Sequence, residues 1–182
     1  MFGWTLSRLP VSAKIFCTLY LVGIGCGALA AATQAATAVG ITPADVRASL
    51  APDVPMTHLG HGEMSAEREM DIGEISKMAR VQIRTPLLIQ TSHTHLFGQT
   101  LIAGLLGLIF LFTSLSEWKK SVILALPFVG TLIDIGGMWL THFVAPSLAF
   151  LVVAGGTLFG AGYLLITVIS LYELWIKKEK RT

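Results

Sequence analysis

Four apolar stretches, at about 12–37, 95–115, 121–143 and 147–176, set the terms for this chain. Each is long enough to cross a hydrocarbon core as a helix, which takes roughly 20 residues. In lipid an open strand edge would leave backbone donors unpaired, so the spans have to be helical. Only 13% of the residues are charged, against roughly 25% in an ordinary soluble domain. The expected fold is therefore all-α, an integral membrane four-helix bundle, with residues 1–182 forming one domain.

The basic residues orient the bundle. Arg8 and Lys14 stand at the start of the first span, Lys119 and Lys120 between the second and third, and Lys177, Lys178, Lys180 and Arg181 after the fourth. The loop at 41–94 holds seven of the eleven acids. The positive-inside rule then puts both termini in the cytoplasm and this loop outside. The net charge of +2 comes from flanking lysines and gives no reason to expect nucleic acid. The first span, with its small-residue tract at 27–32, also has features of a secretory signal. Its apolar run continues past Ala36, which favours an uncleaved anchor. Cys17 and Cys26 lie within it and read as buried packing residues, not as a disulfide or metal pair.

The external loop carries its own helix signals. Thr42-Pro43-Ala44-Asp45 offers a capping residue, a proline in the first turn and an early acid, predicting a short helix to about Leu50. A second helix is expected over 66–84, with Ile72, Ile75, Met78, Ala79 and Ile83 near one face. Pro86 then starts the approach to the second span. Glycines in the second and fourth spans, including the Gly156 to Gly160 step, supply surfaces for close helix packing, within the monomer in preference to a dimer.

Ionisable groups near or inside a membrane are functional candidates by default. His93 and His95 open the second span and His142 closes the third. With the turn between those spans centred near Trp118 and Lys119, His95 and His142 each lie about 23 residues from it, and an antiparallel hairpin at 1.5 Å per residue brings them to similar depth. His93 is about 200° around the helix from His95, so one of them faces away. His95 shares a face with Gln99. Asp134, the one acid well inside a span, needs a partner, and a proton path, a metal, His95 or Gln99 would each supply one.

Three uses of these residues stay open. The first is axial ligation of a haem b between helices two and three by His95 and His142, supported by His93, Gln99 or Asp134, with Gly98, Gly136 and Gly137 giving room for the ring. Such a subunit would exchange electrons with quinol or a periplasmic cytochrome. The second is copper held by Met56, His58, His61 and Met64 in the loop, a thioether and imidazole set suited to Cu(I). The third is a cofactor-free structural or assembly subunit of a larger membrane complex, with Trp118, Trp139, Trp175 and Tyr172 as interfacial anchors. No hydrolase, kinase or dehydrogenase motif is present.

The segments Gly40-Ile41-Thr42-Pro43-Ala44-Asp45, Thr91-Ser92-His93-Thr94-His95-Leu96-Phe97-Gly98 and the run from Leu132 to Thr141 together resemble a group of poorly characterised four-span bacterial inner-membrane proteins. The resemblance implies a bacterial cytoplasmic membrane location and brings no established activity. The His-x-His helix start is similar, over a few residues, to haem-binding helices of respiratory membrane proteins.

Overall fold

A computed structural model describes residues 5–50 and 83–177. Within them every regular element is helical, and four helices are long and apolar enough to span a membrane. These are α1 (Val11–Ala38), α3 (Thr85–Phe110), α4 (Glu117–Phe143) and α5 (Phe150–Trp175), with the short α2 (Pro43–Leu50) between the first two. The expected 66–84 helix, as far as residue 82, and the Met56–Met64 cluster fall outside the described residues, and Ile83 and Arg84 are not helical.

The turn into α2 forms as its residues predict. Gly40 has φ +97°, a conformation that glycine adopts without strain, and its N–H donates to the Ala35 carbonyl at 3.0 Å. Thr42 N–H donates to Asp45 Oδ2 at 3.3 Å, and Asp45 N–H donates to Thr42 Oγ1 at 3.2 Å. This reciprocal pair satisfies free amides at the helix start. Val46 and Leu50 of α2 then pack with Ile83, Leu88, Met138 and Ala149 in a buried cluster at this end of the bundle, here called the loop end. Ile83 N–H donates to the Ser49 carbonyl at 2.8 Å, so the chain returns beside the point where it left.

The second span differs from expectation. It runs from Thr85 to Phe110, not 95–115, with Pro86 in its first turn. The polar residues 90–95 lower the local hydropathy and look like an interface, yet the fold gives several of them partners. Thr94 Oγ1 donates to the Gln90 carbonyl at 2.9 Å, and Ser92 Oγ accepts from Trp139 Nε1 at 2.8 Å. The segment between the first two spans accordingly stops near Arg84 instead of Thr94.

The core of the bundle is the antiparallel pair α4 and α5. Gly130 on α4 meets Gly155 on α5, while Gly137 lies against Leu151 and Val152 and Gly162 against Leu126 and Pro127, and the two backbones touch: a Cβ added at Gly155 would stand 2.2 Å from the Asp134 amide nitrogen. Small residues permit this approach where lipid gives no hydrophobic drive to associate. The Gly156 to Gly160 step plays no part in it. Both positions face open space, as do Gly98 and Gly104, so that expectation of packing within the chain is corrected.

At the opposite, lysine end, the 111–116 turn is closed by a buried acid. Glu173 Oε2 accepts from Ser114 N–H at 2.8 Å and Oε1 accepts from Ser114 Oγ at 2.6 Å, while Lys177 Nζ lies 3.2 Å from Oε1. Lys177 also bonds Ser114 Oγ. Lys120 Nζ caps the Leu111 carbonyl at 3.0 Å. Hydrogen bonds to a charged group contribute about 1.5–3 kcal/mol each. Glu173→Ala is therefore expected to destabilise the bundle by about 3 kcal/mol, read as a lower unfolding midpoint in detergent; an unchanged midpoint would show the clasp to be inert.

Helix α1 is the peripheral element. Leu6, in the 3₁₀ turn before it, and Leu21 join a buried cluster with Leu106, Phe110, Ile166 and Leu174. Trp175 Nε1 donates to Thr18 Oγ1 at 2.9 Å, and Tyr163 OH donates to the Leu21 carbonyl at 3.3 Å. From Leu29 to Thr37 the helix is exposed throughout.

Candidate functional site on the α3–α4 seam

The shift of the second span moves the histidines to different depths. The turn between α3 and α4 is centred near Ser114, so the two sites are no longer equidistant from it. His142 sits in the last turn of α4, whereas Asp134 lies nine residues inward of Phe143, about 13 Å at 1.5 Å per residue. His95 is ten residues, about 15 Å, inside the start of α3.

His142 has a local task. Its Nδ1 lies 2.9 Å from the Leu50 carbonyl, and its Nε2 lies 3.2 Å from Thr85 Oγ1. A carbonyl only accepts, so Nδ1 carries the proton and Nε2 accepts from the threonine hydroxyl. The ring thus ties the end of α2 to the start of α3 across the end of α4. With both nitrogens engaged and a depth about 12 Å from that of Asp134, His142 does not pair with His95 around a ring. The expectation of a bis-histidine site is corrected on those grounds. Gly137, expected to give the ring room, is closed by Leu151 and Val152 of α5.

His95 is differently placed. Its Nδ1 lies 4.0 Å from Asp134 Oδ2 and 3.5 Å from Gln99 Nε2. The Asp134 side chain is 8% exposed and that of His95 42% exposed. Asp134 accepts no hydrogen bond from any described residue, and the buried Gln99 Oε1 has no partner. His95 Nε2 has no hydrogen-bond partner among the described residues. One turn towards the loop end, the Trp139 to Ser92 bond clamps α3 to α4. Gly98, three residues after His95 on α3, has open space where a side chain would stand, as does Gly136, which lies about 200° around α4 from Asp134. His93 is exposed and packs its ring on Phe97 at 4.9 Å, on a different side of α3.

The structure therefore brings together His95, Gln99 and Asp134, and separates His93 and His142 from them. Among the described residues no three His, Cys, Asp or Glu side chains cluster closely enough to hold a metal ion. Two groups escaped the sequence reading. Glu173 had a signal, an acid in an apolar run with Lys177 four residues on; the Ser92 to Trp139 bond had none, because it depends on helix register.

Residues 81–181, which contain α3, α4 and α5, match the Aq_1264_TM family, described as a transmembrane helical domain. The chain belongs to that family. No curated protein and no solved structure matches it. The transmembrane helical domain so defined includes the whole His95, Gln99 and Asp134 site and both glycine-lined faces, whereas α1 and α2 precede it.

Proposed function

We propose that this multi-pass protein is a subunit of a membrane redox system that offers His95 Nε2 as an axial ligand to a haem b on the α3–α4 seam. The observation that carries this reading is the position of His95 Nδ1, 4.0 Å from the buried Asp134 Oδ2, with Nε2 on a half-exposed ring and without a partner among the described residues. Ligating histidines almost always direct their other nitrogen to a carboxylate or carbonyl, which fixes the tautomer and strengthens the ligand. The open position at Gly98, one turn along α3 from His95, leaves room beside the ring. In this reading the seam lies toward the periplasmic side of a bacterial inner membrane, within reach of quinol or a periplasmic cytochrome.

Oxidised and dithionite-reduced spectra of protein in mild detergent test it. Wild type is expected to show a Soret band with sharp reduced α and β bands. His95→Ala removes them and His142→Ala retains them. A silent wild-type spectrum rejects the reading and leaves a structural or assembly subunit. His142→Ala has its own expected effect: loss of the Leu50 and Thr85 bonds costs about 1–3 kcal/mol, seen as faster proteolysis near residue 50.

A further inference from the structure

At the lysine end, the first two turns of α4 and the facing side of α5 leave an open groove of about 310 Å³. Leu115, Val122, Ile123 and Ile169 line it, and Trp118 and Lys119 stand at its rim. Trp118 is 77% exposed, as an interfacial tryptophan is when it faces the headgroup layer.

The charges at this rim are uneven. Lys120 Nζ and Glu117 Oε1 neutralise each other at 3.2 Å. Lys119, between them in sequence, makes no ion pair or hydrogen bond among the described residues. Ser116 gives α4 no side-chain cap, so the first amides of the helix add their partial positive charge beside Lys119. The groove thus joins an apolar floor to a lysine that has no acidic partner among the described residues.

We propose that this groove seats an acyl chain of one anionic phospholipid from the surrounding bilayer, with its phosphate held by Lys119. An acyl chain gains little by leaving other chains for the groove, since lipid tails are as apolar as the lining. Selectivity therefore rests on the headgroup, and the positive rim selects a net negative one. Basic pockets between spanning helices bind anionic headgroups on this principle.

Native mass spectrometry of the full chain, released from nanodiscs of equal phosphatidylglycerol and phosphatidylcholine, tests the proposal. Wild type is expected to retain one phosphatidylglycerol under activation that strips phosphatidylcholine. Lys119→Gln is expected to lower that retention about fivefold, the effect of one basic residue near an anionic surface. Val122→Trp, which fills the groove, is expected to lower it with the helical circular dichroism unchanged. Equal retention of the two lipids by wild type overturns the proposal, as does a Lys119→Gln protein that holds phosphatidylglycerol as well as wild type. Lys119 is exposed and has no partner among the described residues, so its replacement keeps the test decisive even if the tryptophan variant fails to fold.

Discussion

Gly155→Ala is expected to destabilise the bundle by about 1–3 kcal/mol, the usual cost of forcing atoms into a packed interface, while Gly156→Ala leaves it unchanged. The two substitutions add the same methyl group one residue apart. At 155 it meets the Asp134 backbone at 2.2 Å and the Gly130 carbonyl at 2.8 Å, neither of which can yield without moving a helix. At 156 it meets nothing within 4 Å. Thermal unfolding in one detergent, followed by circular dichroism, separates them. Equal midpoints would mean that α4 and α5 do not pack backbone to backbone. Because Gly155 lies against Asp134 itself, the alanine variant should also disturb the His95 site.

Asp134→Leu is expected to move stability and cofactor retention in opposite directions. A buried acid without a hydrogen-bond donor costs the fold about 1–3 kcal/mol or more, so leucine raises the unfolding midpoint. Loss of the group that orients a ligating histidine typically weakens binding 10–100-fold, so the haem of the proposed site is expected to wash out during purification. Asp134→Asn, which keeps the shape, should retain more haem than leucine. A lower midpoint with unchanged absorbance would make Asp134 a structural residue and detach it from His95.

The membrane class and the all-α fold were legible because apolar length and the demand for internal backbone pairing leave few solutions. The short helix after the first span was legible too, since Thr42 and Asp45 act on neighbours three residues away. The start of the second span was not. Hydropathy treats Gln90, Ser92 and His95 as water-facing, and it cannot see that Trp139 and Asp134, more than thirty residues distant in sequence, meet the last two inside the bundle. That one displacement carried His95 inward and broke its expected pairing with His142. Glycines posed the same problem: sequence shows where backbones can approach, and only register shows that Gly155 does and Gly156 does not.

The attachment of α1 bears on the order in which the molecule is completed. Synthesis runs from the amino end, so α1 reaches the bilayer before any of its neighbours. It shares its buried cluster with Leu106 and Phe110 of α3, but both of its side-chain hydrogen-bond partners, Tyr163 and Trp175, and the cluster residues Ile166 and Leu174 lie on α5, which is translated after the other three spans. Of the four spans, the one made before its neighbours thus has its seat completed only after the others are in place. Its span from Ile15 to Ala38 carries no charged side chain, so it can wait in lipid as a solitary helix at no electrostatic cost, and its packing is complete only when α5 arrives.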